Sequence, residues 1–331
     1  MHIPDNYLSP QTDAVFTVAM VPIWVHCTRK VTETLNRKQL SFLGMAGAFS
    51  FLLMMFNVPL PGGTTGHAVG GTLIALLLGP HASCLAVSVA LAIQALIFGD
   101  GGILAFGANC FNMAFVLPFV GHAIYKLVLG KAPAPAGKRM VAAFVGSYVG
   151  LAVAALCAAI EFGVQPLLFT DAAGAALYCP YPLSVSLPAM MIPHLLVACV
   201  IEGVATVAIH EFVLRVAPEY ALEADDKSAR GGSLTAVAVL VGVLALATPL
   251  GLLAEGTAWG EWGTDEIAEV AGLTQVPAGM ANGFEWQSLM PDYTLGNLPG
   301  SLAYVLSAVI GIALLVIFFR LMASFVPARR A

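Results

Sequence analysis

The sequence predicts an all-α, polytopic membrane protein with about nine transmembrane helices, a seven-helix body followed by a two-helix appendage. Three observations carry this prediction. Of 331 residues, 59% are hydrophobic and only 10% are charged, whereas a soluble domain carries about 25% charged residues. The apolar residues gather into runs that approach the roughly 20 residues needed to cross a bilayer. With nine spans and the N-terminus outside, all fourteen Lys and Arg residues fall on the cytoplasmic side, the bias that sets orientation in membrane proteins.

The spans are read, in order, at 13–28, 40–57, 67–79, 81–98, 107–129, 140–160, 187–214, 234–253 and 301–320. Residues 67–98 are one long run that breaks at Gly79-Pro80, where one helix stops and the next begins. The 67–79 segment is short, and reads as tilted or partly inserted. Cytoplasmic segments then hold Arg29, Lys30, Arg37 and Lys38; Lys126, Lys131, Lys138 and Arg139; Arg215, Lys227 and Arg230; and Arg320, Arg329 and Arg330. Nine spans place the C-terminus in the cytoplasm.

Two linkers divide the chain. KAPAPAGKR (131–139) is a short Pro/Ala connector, and 217–233 is longer, charged and ends in Gly-Gly-Ser, a flexible composition. The expected units are a membrane domain at 1–216, a linker at 217–233, and a two-span domain at 234–331 with an external loop at 254–300. The six cysteines form no CxxC pair. Five sit in apolar runs, and Cys179 lies in the loop YCPYP, so no disulfide framework is expected. The leader before residue 13 lacks the positive start and cleavage site of a signal peptide, and the N-terminus is expected to be retained.

The chain has no GxxxxGK[ST], so it cannot bind ATP through a P-loop; it has no GxSxG or HExxH, and no nucleophile–base pair that would make it an enzyme. No nucleic-acid partner is expected. Metal chemistry is better supported. His2 stands beside the chain's own amine, and a terminal amine, the next amide nitrogen and that residue's imidazole can form fused chelate rings. Methionine aminopeptidase trims only before small residues, so Met1 survives ahead of His2 once deformylated. Nitrogens in a plane suit Ni(II) or Cu(II), with Co(II) an option. His67, in PLPGGTTGHAVGG, offers a fourth nitrogen; irregular backbone at membrane depth is tolerated where it lines a cavity, and an ionisable group there is a functional candidate. In FGDGGILAFGANCFNMAF (98–115), Asp100, Asn109 and Asn112 are candidates for holding the imidazoles. Asn109 and Asn112, three residues apart, are expected on one helix face; the plainer reading is a Gly-rich turn with an Asn cap. His194 and Glu202, eight residues apart, fit a buried structural pair, a translocation route or a docking feature. Gly44-xxx-Ala48 and Gly146-xxx-Gly150 allow close helix approach, within the chain or to a partner.

These stretches carry a family resemblance. MHIPDNYLSP resembles the MHIPDGYLSP start of the substrate-capture subunit of cobalt and nickel energy-coupling-factor transporters, the CbiM/NikM family. GGTTGHAVGG, FGDGGILAFGANCFNMAF and HLLVACVIEG resemble it in the same order, over residues 1–215. ATPLGLLAEGTAWGEWG resembles the small two-span N component, here fused, although Pro249-Leu250-Gly251-Leu252-Leu253 stands where that component has P-D-G-L-E and lacks its acidic residue. Asn6 replaces the family glycine, a change expected to alter only the turn. The resemblance implies capture of Ni(II) or Co(II) as transported substrate through the Met1 amine, His2 and His67. It also implies a separate transmembrane coupling (T) subunit, cytoplasmic ABC ATPase subunits, and location in a prokaryotic cell membrane. Ni(II) outranks Co(II) in intrinsic affinity, but sequence does not choose between them. The competing reading, a proton-coupled secondary permease, uses His194 and Glu202 as a relay and needs no ATPase; no inverted repeat supports it.

Overall fold

The computed structural model describes residues 1–130, 134–222 and 234–325. Lys131, Lys227, Arg230, Arg329 and Arg330, and most of the 217–233 linker, lie outside the described residues. The described residues form a helical bundle with one small two-stranded sheet. Helix α1 (Pro10–Thr34) begins where the Ser9 hydroxyl accepts the Thr12 N–H at 3.1 Å, with Pro10 in the first turn, the expected start chemistry. Helix α2 (Arg37–Met55) opens on a reciprocal Asn36–Gln39 capping box, which satisfies two otherwise orphaned donors. The chain then turns through an antiparallel hairpin, β1 (Val58–Leu60) and β2 (Thr64–Gly66), paired Val58 to Gly66 and Leu60 to Thr64.

The third predicted span differs from expectation. Helix α3 covers only Gly71–Leu78. Eight residues rise about 12 Å, far short of the ~30 Å hydrocarbon core. Residues 67–70 are non-helical because Gly70 sits at φ +73° and the Val69 and Gly70 N–H groups are bound by a side chain from elsewhere, as described below. Helix α4 (Pro80–Ile93) continues as a π-turn, Gln94–Phe98. Helix α5 (Phe106–Asn109) runs through a second π-segment, Cys110–Val116, into α6 (Leu117–Leu129). Helices α7 (Ala136–Leu168) and α8 (Leu183–Pro193) follow, and α8 runs on through a third π-turn, His194–Ala198, into α9 (Cys199–Val216). The last part comprises α10 (Leu234–Ala247), short helices α11 (Ile267–Val270) and α12 (Ala278–Ala281), and α13 (Gly300–Phe325). Seven of these helical stretches are long and apolar enough to cross a membrane. Helix α1 has the length but carries Asp13, Arg29, Lys30 and Glu33.

Both small-residue spacings pack helices within the chain. A methyl group on Gly146 would lie 2.6 Å from the Gly121 carbonyl oxygen, and one on Gly150 would lie 2.7 Å from that of Leu117, so α7 rests directly on α6. Gly44 instead receives α13, whose Val316 Cα would be 3.0 Å from an added methyl; the appended helix thus docks on α2. Backbone cannot yield as a flexible side chain can. Gly146→Val is therefore expected to destabilise the bundle by about 1–3 kcal/mol, seen as a lower melting midpoint in detergent. Gly137→Val, where nothing lies within 4 Å, should leave that midpoint unchanged.

Candidate functional site

Residues 1–9 do not trail from the bundle; they thread into it. Met1, His2 and Ile3 are buried. The Ile3 main chain is held on both sides: its N–H donates to Asn109 Oδ1 at 2.8 Å, and its carbonyl accepts from Asn109 Nδ2 at 2.9 Å and from the Gly102 N–H at 2.8 Å. The Asp5 carboxylate accepts the Ile103 and Leu104 N–H groups at 3.0 and 2.7 Å. Burial raises the Asp5 pKa above the ordinary carboxylate value, and these N–H groups partly offset it. Tyr7 accepts at its carbonyl from the Cys179 N–H at 3.0 Å, and the Ser9 N–H donates to Gln165 Oε1 at 2.9 Å. Pro4 and these clamps leave the first residues one path, into the mouth of the bundle.

His67 is positioned from the other side. It follows the hairpin and precedes α3, in the non-helical stretch. Glu202, buried on α9, accepts the Val69 N–H at 2.7 Å and the Gly70 N–H at 2.9 Å. Ser50 on α2 donates to the Val69 carbonyl at 2.7 Å. A buried carboxylate with two backbone N–H partners is a charge-assisted anchor, and it holds the backbone irregular where a helix would otherwise continue. His67 Nδ1 lies 3.1 Å from the Ala68 carbonyl, which makes Nδ1 the donor and leaves the lone pair on Nε2. That Nε2 lies 3.3 Å from His2 Nδ1. Burial, then the neighbouring His2 and the terminal ammonium, hold the His67 pKa well below its ordinary value, so the ring is neutral and able to bind a cation.

The two imidazoles thus converge on one point. His2 Nδ1 is also 3.0 Å from Asp100 Oδ1, and the Met1 ammonium donates to Glu261 Oε1 at 2.9 Å. Among the described residues no three His, Cys, Asp or Glu side chains form a metal-holding group.

The sequence candidates fall out unequally. Met1, His2 and His67 come together, with Asp100 beside His2. Asn109 holds the Ile3 backbone rather than an imidazole. Asn112 is elsewhere: its Nδ2 donates to Glu161 Oε2 at 2.7 Å. The expectation that Asn109 and Asn112 share a face assumed an α-helix, and the wider π-turn starting at Cys110 rotates residues three apart away from each other. His194 and Glu202 are not bonded to each other; His194 Nδ1 lies 2.7 Å from the Met190 carbonyl, and Glu202 holds Val69 and Gly70.

Sequence reasoning missed the contribution of the loop between α10 and α13. Besides Glu261, it supplies Trp259, whose N–H donates to Thr64 Oγ1 at 2.7 Å, and Tyr293, whose hydroxyl donates to Asp100. Asn6 does more than alter a turn. It sits at φ +68°, a region Asn tolerates, and its side chain exchanges two hydrogen bonds with the Phe284 main chain at 2.8 and 2.9 Å. Glycine could not make those bonds. The sequence signal for Glu261 was a carboxylate in the 254–300 loop, which has no spacing relation to His2 or His67.

The fold defines a multi-pass membrane protein, and its likeness to known proteins makes it a metal-transport component. Residues 2–220 match the family model described as CbiM, cobalt uptake substrate-specific transmembrane region, and residues 233–327 match the PDGLE domain. The chain belongs to the CbiM family of nickel and cobalt transport proteins. It is 46% identical over 97% of its length to a probable fused nickel transport protein, LarMN, of Lactiplantibacillus plantarum, covering 97% of that protein. It is 47% identical over 96% of its length to the fused nickel transport protein NikMN of Rhodobacter capsulatus, covering 95% of it. A crystal structure of a truncated transition metal transporter is 51% identical, with a TM-score of 0.60, and is covered to 98% by 65% of this chain.

Asn109→Leu removes both side-chain bonds to Ile3 at similar volume. The Ile3 carbonyl keeps the Gly102 N–H, but the Ile3 N–H is left unpaired; one buried unpaired group costs about 1–3 kcal/mol, so the melting midpoint in detergent is expected to fall.

Proposed function

We propose that this chain is the substrate-specific membrane component of an ATP-driven energy-coupling-factor importer for Ni(II) or Co(II), and that it captures the ion at the outer face. The Met1 amine, the His2 amide nitrogen, His2 Nδ1 and His67 Nε2 serve as the four ligands. The observation that carries the reading is the 3.3 Å approach of His2 Nδ1 to His67 Nε2, beside a buried chain terminus. Ligation releases one proton from the Met1 ammonium, which then leaves Glu261, and the amide proton of His2, and turns His2 Nδ1 from Asp100 to the cation. Four nitrogens, with no soft sulfur ligand, favour a tetragonal d-block ion. The nickel-transport names of the two full-length relatives support the same cargo.

The energy source lies outside the chain. With no P-loop in the sequence, ATP hydrolysis falls to cytoplasmic ATPases reached through a transmembrane coupling subunit. Residues 1–216 act as the capture domain, 217–233 as a cytoplasmic linker and 234–331 as the fused two-span unit, with Met1 and the 254–300 loop outside. The proton-coupled permease is less well supported: both Glu202 oxygens are occupied by backbone N–H groups and His194 by a carbonyl, which leaves no relay between them.

One residue inserted before Met1 moves the amine out of chelating register. Purified protein carrying that insertion is expected to hold no nickel by elemental analysis, as is His67→Ala, whereas a C-terminal tag should be tolerated. Full loading of the extended variant would overturn the chelate.

A further inference from the structure

Asn112, which the metal site leaves aside, belongs to a second polar cluster, where α1, α7 and the π-segment Cys110–Val116 meet. Its members are Asp13, Glu161 and Asn112, which are 4%, 5% and 0% exposed. Asn112 Nδ2 donates to Glu161 Oε2 at 2.7 Å, and the two carboxyls lie within electrostatic reach of each other. The other oxygens are unanswered: Asp13 Oδ1 and Oδ2, Glu161 Oε1 and Asn112 Oδ1 have no hydrogen-bond partner. All four are acceptors, and an ionised carboxylate has no hydrogen to offer. As anions, Asp13 and Glu161 would stand buried with neither donors nor countercharge, an arrangement proteins avoid by neutralising the group. We propose that Asp13 and Glu161 form a buried proton-binding site, in which each carboxylate takes up one proton from solvent and the resulting O–H groups supply the donors that the cluster lacks.

The surroundings favour a proton over any other cation. Along α1 the nearest Lys or Arg to Asp13 is Arg29, and along α7 the nearest to Glu161 is Arg139, each roughly 20 Å or more away along its helix. No ion pair reaches either carboxyl among the described residues. The ionisable groups that face the pair are Asp5 from the N-terminal segment and Cys157 from α7, and neither brings positive charge. α5 and the π-segment carry no charged side chain, and their Cys110 turns to Ser88. A metal ion would need more ligands: no three His, Cys, Asp or Glu side chains gather around one point among the described residues. The site also sits at a joint. Gln165, one turn beyond Glu161, accepts the Ser9 N–H at Oε1, and its Nε2 donates to Thr12 Oγ1 at 3.3 Å and to the Glu161 carbonyl at 3.1 Å. Loss of the protons would set two like charges between α1 and α7, where residues 1–9 leave α1 for the mouth of the bundle.

The test is the infrared spectrum of the full-length protein in detergent at neutral pH, compared with Asp13→Asn, Glu161→Gln and the double variant. The amides keep the size of the protonated acids and their mix of donor and acceptor, so all three variants should fold. Each single change should remove intensity from the C=O band of protonated carboxyl groups and none from the carboxylate bands, and the double variant should remove both contributions. Loss of carboxylate intensity instead would show the groups ionised and overturn the site. Thermal melting supplies a second readout. A folded state that holds more protons than the unfolded chain loses stability as pH rises. The wild-type midpoint should therefore fall by several degrees from mildly acidic to mildly alkaline buffer, and the double variant should show a flatter profile with the higher midpoint at the alkaline end. Amide variants that unfold, or a double variant that keeps the wild-type pH profile, would overturn the proposal.

Discussion

The site depends on one constraint: the main chain of Ile3 is held at both its N–H and its carbonyl. Asn109 and Gly102 together satisfy these groups, and Asp5 clamps the next turn against Ile103 and Leu104. A chain terminus ordinarily frays, because nothing repays the conformational entropy of ordering it. Here each main-chain bond is made in a buried setting, where leaving it unmade is expensive. The terminal amine and His2 are therefore carried to a defined point, and a flexible end becomes as well placed as a helix side chain.

His67 reaches the same point by a different device. A helix through residues 67–70 would tie its backbone groups into the α3 ladder and sweep the imidazole round with the turn. Glu202 prevents this by taking the Val69 and Gly70 N–H groups, while Gly70 adopts a left-handed conformation few other residues accept. Non-helical backbone within a bundle survives only where its polar groups are satisfied by protein. Glu202 and Ser50 supply that here, so a charge within an apolar helix serves to aim a histidine.

The appended unit is built into this arrangement. α13 lies against Gly44 of α2, and the loop before it returns to bond Asn6, Thr64, Asp100 and the Met1 ammonium. The residue at position 6 illustrates the coupling. Asn satisfies the same left-handed turn that glycine would, and its amide adds a two-bond tie to Phe284. The loop lies across the mouth at which the two imidazoles meet.

The sequence by itself determined the class and most of the candidate ligands. Apolar runs of spanning length leave a chain no soluble alternative, and the chemistry of an amine, an amide and an imidazole in consecutive residues is local, so MH at the start of the chain is legible without any fold. What tertiary structure decided is everything that depends on residues distant in sequence. The partnership of Glu261 with Met1 spans 260 positions, and no periodicity signals it. Asn112 lost its place beside Asn109 because a π-turn changes the rotation per residue, and that turn carries no mark in composition. The third span became an eight-residue helix because a carboxylate 132 and 133 residues further along captured two N–H groups. Sequence specifies which groups can bond; only the packed bundle specifies which of them come within reach.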